Sequence, residues 1–179
     1  MSRADAAAKP WVARDYIKCT GCRLCEIACT LKHEGRIWPE ASRVRVFMLV
    51  PGVEVPHLCT QCTTYPCIAA CPTEALSAHE DTGAVLVDNE KCTACGLCID
   101  ACPGKIPHLH PDRTRIVICD LCGGDPECTK ICERARYFAL FRSTRPRDSV
   151  HHDLYAKNPE EITANLSINL YGEKGKEFI

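Results

Sequence analysis

The chain has 179 residues, a formal net charge of −1 and 16 cysteines, enough for one ordinary globular domain or two very small ones. That cysteine content approaches the level of a secreted disulfide scaffold. The opening MSRADAAAKP, however, has neither the basic and apolar regions of a secretory signal nor a twin-arginine pair, and no apolar run approaches transmembrane length. The expected compartment is therefore the cytoplasm, where thiols stay reduced and abundant cysteine points to metal ligation.

Along the chain the cysteines fall into four groups. The first, KCTGCRLCEIACT, carries Cys19, Cys22, Cys25 and Cys29 in the spacing C-x2-C-x2-C-x3-C. Charged and apolar residues then alternate at the start of RVRVFMLV, which predicts a half-buried strand over 43–50. The second group, CTQCTTYPCIAACP, holds Cys59, Cys62, Cys67 and Cys71, with two extra residues in the middle gap and Pro72 closing it. Residues 75–87 read as a hairpin turning at Asp81, Thr82 and Gly83. The third group, KCTACGLCIDACP, repeats the first spacing with Cys92, Cys95, Cys98 and Cys102, and Pro103 completes the bacterial ferredoxin run. A strand is predicted over 115–118. The fourth group, CDLCGGDPECTKIC, places Cys119, Cys122, Cys128 and Cys132 around a five-residue gap, and a last strand is predicted over 137–141.

Three thiolates on a tight loop can cap three corners of an iron-sulfur cube, and glycines such as Gly21 and Gly96 let the backbone come close. The fourth cysteine lies on a short helical turn pointing elsewhere, and in two-cluster ferredoxins it ligates the neighbouring cube. Four 4Fe-4S clusters are the expected cofactors. Tetracysteine zinc sites need only two C-x2-C pairs per ion and give no reason for the third and fourth cysteine of each group. A zinc-rich structural or nucleic-acid-binding module is the alternative. If each oxidised cluster with its thiolates carries about −2, the loaded protein reaches roughly −9, which removes the electrostatic basis for nucleic-acid binding.

Residues 14–142 resemble the four-cluster iron-sulfur subunits of molybdenum and tungsten oxidoreductases, most visibly in HLCTQCTTYPCIAACPTEAL over 57–76. The resemblance implies that one cluster takes Cys19, Cys22, Cys25 and Cys132, and another Cys119, Cys122, Cys128 and Cys29. It further implies an inner pair, Cys59, Cys62, Cys67 with Cys102, and Cys92, Cys95, Cys98 with Cys71. IKCTGCRLCEIACTLKHEG and IWPEASRVRVF are similar to the small iron-sulfur subunits of tungsten aldehyde oxidoreductases and of the related tungsten benzoyl-CoA reductases of anaerobes. The resemblance implies a tungsten or molybdenum catalytic subunit as partner, a flavin (FAD), NAD-linked subunit as a further one, and further copies of the chain itself. No nucleic acid and no membrane anchor are expected.

The fold class expected is α+β: tandem bacterial ferredoxin-like modules, with short helices and β-hairpins around four cubane clusters, over 1–142, and an extended tail over 143–179. Lys18, Arg23, Lys32 and Lys91 flank the cysteine loops, where they are read as solvated surface charges or as cations that raise a cluster's potential. The pairs His108/His110 and His151/His152 are weighed as metal ligands and read as ordinary histidines. No nucleophile-base pairing, phosphate loop or dinucleotide fingerprint occurs, so catalysis is assigned to a partner. In the tail, STRPRDS reads as a linker. Asn158, Pro159, Glu160 and Glu161 form a helix start, followed by Ile162, Leu166 and Leu170 at helical spacing. This helix is expected to dock on another chain rather than fold back.

Overall fold

The computed structural model of the chain describes residues 9–144 and 154–178. His151, His152 and most of the expected linker lie outside the described residues. Among the described residues, eight strands pair in order of the chain or across it into four two-stranded antiparallel sheets. β1 (Trp11–Arg14) pairs with β8 (Leu140–Ser143), Arg14 lying opposite Leu140. β2 (Arg45–Val50) pairs with β3 (Val53–His57), with an irregularity between Met48 and Val50. β4 (Leu76–Ala78) pairs with β5 (Val85–Val87), and β6 (His108–Leu109) with β7 (Ile116–Val117).

The strands foreseen at 43–50 and 115–118 and the hairpin at 75–87 correspond to β2, β7 and β4–β5, and the last strand begins three residues later than predicted. β1, β3 and β6 were not foreseen. WVAR and VEVPH show no sustained alternation, and β1 finds its partner only at the far end of the body.

Four short helices carry the cysteines: α1 (Leu24–Glu34), α2 (Pro66–Ala69), α3 (Leu97–Ala101) and α4 (Glu127–Arg134). α1 packs on α4 and α2 on α3, so the second pair is nested in sequence between the members of the first. The main buried cluster mixes apolar residues such as Val12, Val44, Leu58, Val85 and Leu121 with cysteines from all four groups.

The C-terminal helix α5 (Pro159–Tyr171) begins as its sequence predicts. Asn158 Oδ1 accepts from the Glu161 N–H at 2.8 Å, and Glu161 Oε2 accepts from the Asn158 N–H at 3.2 Å. Docking on another chain was the expectation; in this structure the helix packs on its own body. α5 folds back onto β2 and β3, and Ile162 and Leu166 join a second apolar cluster with Trp11, Tyr16, Val55 and Tyr155. The reason is a nearby unfilled apolar face, which the tail covers in its own molecule. Tyr155 fastens it: its hydroxyl donates to Arg14 O at 2.7 Å, while Arg14 Nη1 donates to Tyr155 O at 3.2 Å. The Arg14 guanidinium also lies over the Tyr155 ring and donates to Leu58 O.

Candidate metal centres

Each cysteine group is built by one local device. The third cysteine occupies the second position of its helix: Cys25 in α1, Cys67 in α2, Cys98 in α3 and Cys128 in α4. A helix N-terminus presents unsatisfied N–H groups and the positive end of the backbone dipole, which favours an anionic sulfur there. The fourth cysteine follows four residues later, about 6 Å farther along at 1.5 Å per residue, so a compact group held by the first three lies behind it.

The loops reach this geometry through left-handed backbone. The residue before the second cysteine has positive φ in all four groups: Gly21 at 68°, Gln61 at 55°, Ala94 at 54° and Leu121 at 57°. The residue before α1, α2 and α3 does so too, as Arg23, Tyr65 and Gly96. Only glycine adopts this region without steric cost. The backbone repeat is therefore fuller than the glycine pattern in the sequence. The role foreseen for Gly21 and Gly96 is sharpened by what surrounds them. A Cβ on Gly21 would meet Glu54 Cγ at 2.9 Å, whereas Gly96 has open space and is required for its φ of 83°.

The structure brings cysteines of different groups together. Cys19, Cys22, Cys25 and Cys132 line one open cavity, closed on its apolar side by Val46, Ala139 and Leu140. Cys71 lines a second with Cys92, Cys95, Cys98 and Ile116. Thiols of the same and of different groups also crowd one another. Burial, and then Cys62, Cys67 and Cys102, push the Cys59 thiol up to about 12 against the Gln61 N–H. Burial and the thiols of Cys102 and Cys62 push Cys67 up to about 11. Burial lifts Cys98 to about 12, with Cys67, Cys95 and Cys71 adding to it. Cys119 and Cys128 are raised well above the ordinary thiol value, by burial first and then by neighbours that include Cys29 in both cases. Such crowded thiols become thiolates only when a cation offsets their charge, so the donor set fits clusters of iron. Backbone N–H groups reach several of these sulfurs, including Arg43 N to Cys29 Sγ at 3.3 Å and Leu140 N to Cys132 Sγ at 3.4 Å.

The flanking cations behave as surface residues. Lys18 pairs with Asp15 at 2.9 Å, Arg23 with Glu26 at 3.4 Å and Lys91 with Asp88 at 3.6 Å, and Lys32 is exposed. His108 and His110 do not converge on a common site. His110 is buried beside the Glu34 and Asp112 carboxylates and stacks edge-on against Trp38. His108 is half-buried on β6, and burial lowers its pKa to about 4.

Sequence reasoning missed several residues at these centres. Glu26 is buried and its carboxylate accepts the Val46 N–H at 2.6 Å, tying α1 to β2. Gln61, fully buried, donates to Cys119 O at 3.0 Å and accepts from Val85 N at 3.3 Å, bridging two cysteine loops. His33 reaches the fourth group from α1, with Nε2 3.5 Å from Cys122 Sγ and 3.4 Å from Asp120 Oδ1. Among the described residues, these three form the one cluster of histidine, carboxylate and thiol groups close enough to share an ion. The reach from residue 33 to residue 122 left no local signal to read.

Comparison with known proteins agrees with this chemistry. The model of a 4Fe-4S dicluster domain matches residues 51–140, and that of a 4Fe-4S binding domain matches 18–32. The chain is 51% identical over 163 residues to the polyferredoxin-like subunit of aliphatic sulfonate oxidoreductase from Pyrococcus furiosus, which covers 91% of this chain and 94% of that protein. It is 31% identical to the thiosulfate reductase electron transfer subunit PhsB of Salmonella typhi over 66% of this chain and 68% of the relative. A chain of the active-site complex BamBC of benzoyl coenzyme A reductase aligns at 22% identity over 92% of each chain, with a TM-score of 0.45. The protein is an iron-sulfur electron-transfer subunit, and it belongs to the 4Fe-4S dicluster family.

Proposed function

We propose that the protein relays single electrons through four 4Fe-4S clusters between a tungsten or molybdenum catalytic subunit and a second redox partner. Cys19, Cys22, Cys25 and Cys132 would hold the first cluster, and Cys119, Cys122, Cys128 and Cys29 the next. Cys59, Cys62, Cys67 and Cys102 would hold the third, and Cys92, Cys95, Cys98 and Cys71 the last. Each cluster supplies one-electron chemistry when bound; the chain supplies ligands and hydrogen bonds.

The observation that carries this reading is the three-plus-one convergence at the two cavities, where Cys132 joins the first group and Cys71 the third. Neighbouring thiols support a linear order. Cys128 feels Cys25, Cys119 feels Cys59, and Cys98 feels Cys67. Of the sixteen cysteines the two exposed ones, Cys22 and Cys95, belong to the proposed end clusters, so both ends open to partners. The body over 1–142 then comprises two ferredoxin-like modules, one nested in the other, and the segment over 143–179 is a tail that closes on it.

The catalytic partner is proposed to be an aldehyde oxidoreductase, with a flavin, NAD-linked subunit or further copies of the chain at the other end. A second reading of the substrate, an aliphatic sulfonate, draws support from the name of the relative at 51% identity. Among the described residues no helix is long and apolar enough to cross a membrane, and a cytoplasmic location is proposed with the rest.

Anaerobic purification tests the core of the reading, with about sixteen iron and sixteen acid-labile sulfide atoms expected per chain. Cys132→Ser should disturb the same electron paramagnetic resonance signal as Cys22→Ser, and Cys71→Ser the same one as Cys95→Ser. A colourless zinc protein would sink the iron-sulfur assignment, and a Cys132→Ser signal shared instead with Cys128→Ser would sink the pairing. Metal analysis of the native complex, with turnover of aldehydes against sulfonates, identifies the partner.

A further inference from the structure

We propose that His33 and Asp120 together set the reduction potential of the cluster assigned to Cys29, Cys119, Cys122 and Cys128, with His33 raising it and Asp120 lowering it. The inference rests on the ligand assignment given under the proposed function.

The geometry is specific to this cluster. His33 Nε2 stands 3.5 Å from Cys122 Sγ and 3.4 Å from Asp120 Oδ1. A ligating thiolate and an ionised carboxylate both only accept hydrogen bonds, so Nε2 must carry the proton whatever the charge of the ring. Asp120 is anchored in the same loop, its Oδ1 accepting the Cys122 N–H at 2.9 Å. The imidazole N–H thus faces the Cys122 sulfur with the Asp120 carboxylate beside it, in a side chain that is 12% exposed. Cys29, from the same helix as His33, accepts the Arg43 N–H at 3.3 Å.

Elsewhere, among the described residues, the hydrogen bonds to cysteine sulfur come from backbone N–H groups and threonine hydroxyls. Examples are Gln61 N to Cys59, Ala75 N to Cys71 and Thr60 Oγ1 to Cys62. Reduction adds one negative charge to a cluster. An N–H donor at the ligand sulfur stabilises that added charge, and a carboxylate beside it opposes it. Removing His33 therefore acts twice, since it deletes the donor and leaves Asp120 facing the thiolate unscreened. In the proposed linear order this cluster joins the first cluster to the inner pair, so its potential decides whether an electron pauses there or passes.

The test is a redox titration of the anaerobic holoprotein followed by electron paramagnetic resonance, with iron and sulfide measured for every variant. His33→Leu should lower one midpoint and Asp120→Asn should raise the same one, with the other clusters unmoved; His33→Gln, which keeps an N–H, should fall between native and His33→Leu. Cys122→Ser identifies the signal. Native protein labelled with nitrogen-15 histidine should show a histidine nitrogen coupled to that reduced cluster, and the coupling should vanish in His33→Gln. Unmoved midpoints at full cluster content, or shifts of one sign in both variants, overturn the proposal. So does the absence of the coupling in the native protein, an outcome that depends on no variant folding. Fewer than four clusters in the native protein, or different signals disturbed by Cys122→Ser and Cys29→Ser, overturn the ligand assignment instead.

Discussion

A single φ angle recurs where the side chain does not. Gly21, Gln61, Ala94 and Leu121 all hold the left-handed region before the second cysteine of their loops. A non-glycine residue there costs about 1–2 kcal/mol, which the folded body must offset elsewhere. Gly21→Ala is expected to lower stability by about that amount and to add a clash, since its Cβ would sit 2.9 Å from Glu54 Cγ. Ala94→Gly should act in the opposite sense, by up to about 1 kcal/mol. Thermal melting of both holo-variants checks the pair, and equal effects of one sign would refute the backbone account. His108 provides a test by pH. Burial, with Arg45 adding to it, holds its imidazole at about 4 in the folded protein against an ordinary 6.5. The unfolded chain therefore binds the extra proton between those values, so stability rises with pH across that window and is lost as pH falls from about 6.5 toward 4. The loss due to this group is about 3 kcal/mol at most. His108→Gln should flatten that limb in melting curves taken across the window, and an unchanged slope would remove His108 from the account. The metal-ligating residue types were legible at this scale from spacing alone, whereas His33 and Asp120 were not, because nothing near either residue in sequence marks it.

Among the elements, α5 shows which interactions can be read in advance. Asn158, Pro159 and Glu161 lie within four positions of one another, so their capping box follows from local sequence. Asn158→Ala should cost about 1 kcal/mol, read as a lower melting midpoint with cluster content unchanged. The apolar spacing of Ile162 and Leu166 likewise announces a covered face but does not name the cover. That cover is β2 and β3 of the same body, together with Trp11 and Tyr155. Tyr155→Phe removes the hydroxyl that donates to Arg14 O at 2.7 Å and leaves a buried carbonyl short of a donor. It should cost about 1–3 kcal/mol and release the tail to limited proteolysis; a tail as resistant as the native one would show that Tyr155 does not fasten it. β1 escaped prediction for the same reason that α5 found its place: its partner, β8, is more than a hundred residues away.

The whole molecule is four two-stranded sheets and five α-helices among the described residues, with cysteines filling much of the main buried cluster. Sheets of two strands are marginal by themselves. The thiols that would replace a conventional core are raised by burial and crowding until iron compensates them. Removal of the clusters by oxidation with chelation is therefore expected to abolish cooperative melting and most helical circular dichroism. A chain that kept its native spectrum without iron would contradict this. The amino-acid sequence by itself determined the four cysteine groups, their family, the α+β class and the start of α5, because each rests on interactions among residues a few positions apart. Tertiary structure placed Cys132 and Cys71 in the two cavities, packed α5 on β2 and β3, and brought His33 to Cys122 across 89 positions and Tyr155 to Arg14 across 141. The physical reason is that such contacts depend on how helices and sheets pack together, and packing at that range leaves no periodicity in the residues that make it.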